Sequence, residues 1–294
     1  MAPGDKGAVL VTGASTGIGR ATTLRLEQDG FSVFAGVRKQ EDADNLSRAA
    51  VHERITPVNL DVTEEPSIQA ARTTIERAVG ESGLAGLVNN AGTANAGPIE
   101  HLPVEEFQKV IDVNLTGQYA VTQAFLPLVR RARGKIVFIT SIGGLIATPF
   151  MSPYHASKFG LEGMADSLRR EVSPWGIRVV IVEPGSIATP IWEKGTDEFE
   201  RAEPGMGPEA KRLYGAQMEA MKHAIRDTAD RGIPPEKVAE VISKAISSSR
   251  PRTRYLVGTD AKLMRRVKGA LPTRAFDRVM RRSLKLPGDA PAPR

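Results

Sequence analysis

Short runs of apolar residues alternate along the chain with longer amphipathic stretches. The runs at residues 8–12, 31–37, 55–60, 84–89, 135–140 and 177–182 are of strand length and rich in Val, Ile and Leu. They lack the polar alternation of a half-exposed strand, so they predict strands buried on both faces. A last run lies at 254–257. Helical patterns fill the intervals at 20–28, 64–79, 103–131 (one long helix or two in succession), 156–172 and 235–247. Gly30 stops the first of these, Thr63 is the expected N-cap of the second, and Pro174 with Gly176 ends the one at 156–172. Strand and helix in strict alternation predict an α/β fold with a doubly wound parallel sheet.

Such a sheet binds its ligand outside the carboxyl ends of its strands, and the unusual residues of this chain collect there. The first run leads directly into Gly13-Ala-Ser-Thr-Gly17-Ile-Gly19 and then a helix. That is the order a dinucleotide site requires: Gly13 for the turn, Gly17 for close approach of backbone to pyrophosphate, Gly19 for packing of helix on strand. The second run ends in Val37, Arg38 and Lys39, where a carboxylate would hold the hydroxyls of an adenine ribose. Two cations suit a 2′-phosphate and predict NADP(H). NAD(H) stays open if Arg38 and Lys39 form a solvated loop and Asp42 or Asp44 folds back. Asp61 follows the third run, placed to reach an adenine amino group or to serve in capping. The fourth ends in Asn89-Asn90-Ala91-Gly92, whose small side chains and amides allow a cofactor to approach. Asn114 lies inside the helical stretch 103–131, where asparagine competes with the backbone for hydrogen bonds. A bulge that offers a carbonyl to water would account for it; so would a tolerated polar position.

The chemistry is densest between Ser141 and Lys158. Tyr154-x-x-x-Lys158 puts a phenol and an ammonium on one helix face, one turn apart. Bringing a phenol from its reference pKa of about 10 to near neutrality takes roughly 4 kcal/mol. A lysine charge about 6 Å away, at an effective dielectric near 20, supplies about 3 kcal/mol, and a cationic oxidised nicotinamide would add the rest. Ser141, at the end of the fifth run, is placed to hold a carbonyl oxygen while Tyr154 gives or takes the proton.

Together these residues resemble the classical short-chain dehydrogenase/reductase family. The resemblance rests on Thr12-Gly13-x-x-x-Gly17-x-Gly19, Asp61, Asn89-Asn90-Ala91-Gly92, Asn114, Ser141, Tyr154-x-x-x-Lys158, and Pro184-Gly185 with Thr189, in the family's order across roughly residues 7–190. It implies a Rossmann-type domain in which Tyr154 is the catalytic acid/base and Lys158 lowers its pKa while binding the nicotinamide ribose. Ser141 would orient the substrate oxygen, and Asn114 would hold a water that relays protons through Lys158. It implies cofactor contacts from Gly13, Ser15, Thr16, Gly17, Ile18 and Gly19 in the first loop, and from Arg38, Asp61 and Val62 at the next two strand ends. Asn90, Ala91, Gly92, Tyr154 and Lys158 would follow, with Pro184, Gly185, Ile187 and Thr189 closing the set. Leu126-Pro127-Leu128, Arg133-Gly134-Lys135, Glu183-Pro184-Gly185, the later Arg250-Pro251-Arg252-Thr253-Arg254-Tyr255 and Gly258-x-Asp260-Ala261 are similar to the hydroxysteroid and retinol dehydrogenases of that family. Relatives of that kind anchored in membranes usually carry an apolar N-terminal segment, and none precedes the first strand here.

Composition narrows the chemistry further. With no cysteine, thiolate nucleophiles, thiolate metal sites and disulfides are excluded. His52, His101, His155 and His223 form no H-x-x-x-H pair, so no metal is expected and each histidine reads as solvated or locally satisfied. The net charge of +6 comes from the tail, where residues 249–294 hold 13 Lys and Arg against 3 Asp. There, 262–286 interleaves apolar residues with arginines, either as a solvated basic face over a packing stripe or as a surface for anionic lipid; nucleic acid is not expected. Met206, Met218 and Met221 fall in 186–232, suiting either a mobile flap over an apolar ligand or a helical insertion that uses methionine as core filler. The expected organisation is a single catalytic domain at 1–258, with a lid insertion at about 186–233, and a basic extension at 259–294. The expected activity is hydride transfer between NADP(H) and a lipophilic secondary or allylic alcohol or its carbonyl, in the cytoplasm or peripheral to a membrane. A homodimer or homotetramer is expected, with 119–128 and 159–168 as helical interface. The alternatives are an acyl-thioester ketoreductase and a non-catalytic cofactor-sensing protein.

Overall fold

The structure, a computed structural model, describes residues 6–189 and 207–288. Seven strands form one sheet: β1 (Ala8–Val11), β2 (Ser32–Val37), β3 (Ile55–Asn59), β4 (Leu84–Asn89), β5 (Lys135–Ile139), β6 (Arg178–Pro184) and β7 (Arg254–Val257). Their order is β3-β2-β1-β4-β5-β6-β7, and every neighbouring pair is parallel. The order reverses direction between β1 and β4, and a crevice for a ligand opens at that point.

All of the apolar runs are strands, and the packing shows why they read as continuous. Leu10 of β1 joins a core with Phe34, Leu87 and Ile136 beneath α3 (Glu65–Val79), α5 (Gly117–Arg131) and α6 (Ser152–Glu171). Its neighbours Val9 and Val11 join a second core with Val33 and Val88 beneath α1 (Gly17–Gln28) and α8 (Pro235–Ser247). Successive side chains of β1 therefore alternate between two apolar layers. The remaining helices are α2 (Gln40–Ala49), α4 (Val104–Ile111), α7 (Pro208–Asp230), α9 (Thr259–Ala270) and α10 (Thr273–Ser283).

Three local expectations are corrected. Thr63 does not cap α3: its N–H and hydroxyl both go to Asp61 Oδ1, at 3.0 and 2.7 Å, and the helix starts at Glu65 with a proline in its first turn. The carboxylate outcompetes the helix amides for the threonine. β6 runs on to Pro184, because Glu183 and Pro184 pair with Leu256 and Val257 of β7, a partner that the apolar run alone does not reveal. Finally, β3 is not buried on both faces: at the edge of the sheet it leaves Thr56 and Asn59 exposed, while α6, which carries Tyr154 and Lys158, begins at Ser152 with Pro153 in its first turn. The stretch 103–131 is continuous, with a π turn at Asp112–Thr116 joining α4 to α5, so the bulge expected at Asn114 is present. Met218 and Met221 of α7 are buried as packing residues, while Met206 lies outside the described residues. Among the described residues no helix is long and apolar enough to cross a membrane.

Candidate active site

The glycine loop is built by close contact. Thr12 is fully buried, and its hydroxyl accepts the backbone N–H groups of Asn90 and Ala91, each at 3.0 Å. In return the Asn90 side-chain amide donates to the carbonyls of Thr12 and Gly13, both at 3.0 Å, so the loops after β1 and β4 are tied together. Gly13 sits at φ 61°, and a Cβ there would meet Ala91 Cα at 2.8 Å. α1 then starts at Gly17 with no capping bond from the Thr16 side chain and no acid in its first turn. Its amides are left to an anion, which the helix dipole favours.

A cavity of about 470 Å³ runs from this loop across the carboxyl ends of the strands. Ser15, Thr16, Gly17 and Ile18 line one end, with Arg38, Asp61 and Val62 beside them. Asn90, Ala91 and Gly92 line its middle, and Ser141, Tyr154 and Lys158 the far end, opposite Pro184, Gly185, Ile187 and Thr189. Gly19 lies behind the lining, packed on the Gly13 carbonyl. An elongated cradle with uncapped amides at one end and a cation beside it fits a nicotinamide dinucleotide.

At the end of β2, Arg38 Nη1 lies 3.6 Å from Asp61 Oδ2. Partial burial works against the Asp61 carboxylate, but the Thr63 hydrogen bonds and Arg38 outweigh it and hold the pKa below the ordinary value. Arg38 therefore faces both the cavity and an acid. Asp42 lines the cavity as well, whereas Asp44 is turned to Gln40.

The proton-handling end is the most enclosed. Lys158 is 5% exposed; its Nζ donates to the Ile139 carbonyl at 2.9 Å and sits 5.8 Å from the Tyr154 ring centre. Burial pulls its pKa down to about 8, partly opposed by the Glu162 carboxylate. Burial likewise pushes Tyr154 up, with a hydrogen bond from Ser141 working the other way. The protein's own groups thus do not depress the phenol before a nicotinamide is bound, since desolvation is the largest cause and the Ser141 hydrogen bond only partly offsets it. An oxidised nicotinamide supplies, when bound, the hydride acceptor and a further positive charge.

Ser141 Oγ accepts from Gly143 N–H at 2.9 Å, capping the turn Ile142–Gly144. That turn is clamped from outside by His155. One ring nitrogen bonds the Gly143 carbonyl at 2.8 Å, the other accepts the Thr148 N–H at 2.9 Å, and burial lowers the imidazole pKa. Asn114 is fully buried and off the cavity surface. Its amide donates to Thr93 O at 2.8 Å and Ser157 Oγ at 3.0 Å, and its oxygen accepts from Thr93 N–H at 2.8 Å. The side chain is thus a brace between the β4 loop and α6.

Sequence reasoning missed Thr93, Lys109, Val113 and Thr140 among the lining residues. It also missed a charged cluster behind Lys158. Arg254 of β7 pairs there with Glu162 and Asp166 of α6 and with the fully buried Glu183 of β6. Glu162 stands four residues after Lys158, so the spacing that paired Tyr154 with Lys158 would have found it.

The short chain dehydrogenase family model matches residues 7–199. The chain belongs to this family. Members are NAD(P)-dependent oxidoreductases of alcohols and carbonyls, and this chain is one. It is 38% identical to retinol dehydrogenase 5 of Mus musculus over 95% of this chain and 89% of that protein. It is 34% identical to an NADPH-dependent 3-dehydrocapnine reductase of Ornithobacterium rhinotracheale, over 94% and 96% respectively. Among solved structures, a short-chain dehydrogenase from Streptomyces avermitilis superposes with a TM-score of 0.74 at 29% identity, covering 96% of this chain and 99% of that one. The likeness to the retinol dehydrogenases extends past the catalytic motifs into the C-terminal third, as the tail motifs anticipated.

Proposed function

We propose that this enzyme transfers hydride between NADP(H) and a lipophilic secondary or allylic alcohol or its carbonyl, retinoid- or steroid-like in shape. The observation that carries the reading is the wall beside Tyr154. Ala94, Ala96, Met151, Met218, Met221 and Ile225 form a buried apolar cluster, against which Tyr154 itself packs with Phe150, Tyr214, Leu284 and Leu286. Its partly buried edge at Phe150, Tyr154 and Tyr214 offers apolar area worth roughly 25 cal/mol per Å², and the methionines buried behind it adapt to irregular outlines. The name of the murine relative agrees with it.

In this reading Tyr154 moves the proton at the substrate oxygen and Ser141 holds that oxygen. Lys158 holds the nicotinamide ribose, and the π turn at Asn114, braced by its side chain, offers a backbone carbonyl to the water that relays protons to Lys158. Arg38 takes the 2′-phosphate of NADP(H), leaving Asp61 for the adenine. The fluorescence titration that checks this compares NADPH with NADH, in the native protein and in Arg38→Ala. NADPH preference lost in the variant supports it; equal or tighter NADH binding in the native protein refutes it. For the substrate, kcat/KM is compared across secondary alcohols of growing apolar area and against an acetoacetyl thioester. A rise with apolar area is expected, and faster turnover of the thioester would instead favour the ketoreductase reading.

The finer partners follow the same reading. Tyr119 of α5 and Phe159 of α6 are exposed apolar residues suited to a homodimer or homotetramer interface. On α9 and α10, exposed Leu263 and Val279 stand among basic residues, suited to peripheral contact with an anionic cytoplasmic membrane face. Co-sedimentation with anionic and neutral vesicles, with and without residues 262–294, tests the membrane contact; no binding by either form removes it.

A further inference from the structure

Behind the lysine, one arginine serves three carboxylates. Arg254 Nη1 bonds Glu183 Oε1 at 2.8 Å and pairs closely with Glu162 Oε2, while Nη2 reaches Asp166 Oδ2 at 3.0 Å. Asp166 has Arg169 as a second cation at 3.2 Å, and Glu183 has Arg265 of α9 at 3.8 Å. Glu162 is 7% exposed, and among the described residues its Oε1 has no hydrogen-bond partner. The remaining cation on which its charge acts is Lys158, one turn earlier on α6. Arg254 offsets the burial cost of this carboxylate on one side, and the unbonded oxygen leaves its charge free to act on Lys158.

We propose that Glu162, fixed by Arg254, is a positioning residue for Lys158, keeping the ammonium charged inside the site. The proposal rests on the reading of Lys158 as the residue that holds the cofactor ribose and assists Tyr154. The other titratable groups around this pair are Tyr154 and His155 on α6, Lys109 of α4 on the cavity wall, Glu183 on β6 and Arg265 on α9. Glu183 is pushed up by burial and then by Glu162. Without the Glu162 charge, desolvation of Lys158 is unopposed and the amine loses its proton at lower pH. Arg254 sets where that charge sits: a lysine in its place keeps the positive charge but presents one compact ammonium in place of the planar fork that spans Glu162, Glu183 and Asp166, so Glu162 is held less firmly toward Lys158.

The test is the pH profile of kcat/KM with NADPH in the native enzyme, Glu162→Gln, Arg254→Lys and Lys158→Arg, each first confirmed folded by thermal melting. The exposed Glu171→Gln on the same helix serves as control. The alkaline limb, expected near the Lys158 value of about 8, moves acidward by about one pH unit in Glu162→Gln and acidward by less in Arg254→Lys. A moved limb distinguishes the field of the cluster from a packing defect, which lowers kcat without moving the limb. If one variant does not fold, the other decides alone. A limb unmoved in either folded variant overturns the proposal. In Lys158→Arg the limb should vanish, since arginine does not titrate there; if it persists, the Lys158 reading fails and the proposal with it.

Discussion

Gly19→Ala adds one methyl group at the tightest point of the cofactor loop. A Cβ built there lies 2.1 Å from Gly13 O and 2.5 Å from Asn90 Nδ2. Ordinary contact distances are about 3.5 Å, so one wall must retreat by more than 1 Å. Both walls are committed: Asn90 Nδ2 holds Gly13 O at 3.0 Å, and the same amide holds Thr12 O. Overpacking costs about 1–3 kcal/mol, and release of the Asn90 bond about 1–3 more. Alanine recovers about 1 kcal/mol through its helix propensity, leaving a net loss of about 3 kcal/mol, or roughly a hundredfold in the folded-to-unfolded ratio. The matching control is Gly163→Ala on α6, where an added Cβ meets nothing within 4 Å and the residue is exposed. There the same chemical change should stabilise by about 0.5–1 kcal/mol. Urea denaturation of both variants measures the pair, and NADPH titration follows the displaced loop, with at least about tenfold weaker binding expected for Gly19→Ala. A loss below about 0.5 kcal/mol at Gly19, with cofactor affinity unchanged, would refute the reasoning that this loop is held by contact and not by sequence habit.

Three further outcomes follow from the site. Tyr154→Phe should lower kcat by about 10²–10⁴ while cofactor binding is kept, measured by steady-state rates and fluorescence; a loss under about tenfold would remove the tyrosine from proton transfer. His155 is held neutral below its ordinary value of 6.5, so as pH falls past 6.5 the unfolded chain takes up a proton that the native state refuses. Its contribution to stability is complete above 6.5 and is lost as pH falls towards the lowered native value. Denaturation at pH 5 and 7.5 should show that loss, and His155→Gln should flatten it; an equal loss in the variant assigns the effect elsewhere. Asn114→Leu keeps the volume but strands Thr93 N–H and Thr93 O, and should destabilise by about 1–3 kcal/mol per unpaired group in the same denaturation assay.

What the sequence could disclose was whatever depends on near neighbours. The strands were readable because Val9, Leu10 and Val11 are apolar on both faces, and the Tyr154–Lys158 pairing because four residues make one helical turn. The glycine loop was readable because close approach leaves room for no other residue at Gly13 and Gly19. Arg254 and Glu162, 92 positions apart, meet only because β7 follows β6 in the sheet and α6 packs on β6, an arrangement no local pattern records. The burial that raises the Tyr154 pKa was hidden for a similar reason. The Lys158 spacing is local, whereas that desolvation follows from packing by several distant elements.

Three contacts from α9 reach the rim of the cavity. Asp260 accepts the Ser186 N–H at 2.8 Å, Arg265 stands by Glu183, and Lys268 donates to the Leu145 carbonyl at 2.7 Å. The loops that carry Ser141 and Gly185 are therefore fastened by residues that leave the ribosome long after the catalytic tyrosine and lysine. During synthesis the chain holds its proton-handling pair before it holds the fastenings. The active site of this enzyme is finished by α9, made well after its catalytic pair, and a product cut short before α9 would carry Ser141 and Gly185 on unsecured loops.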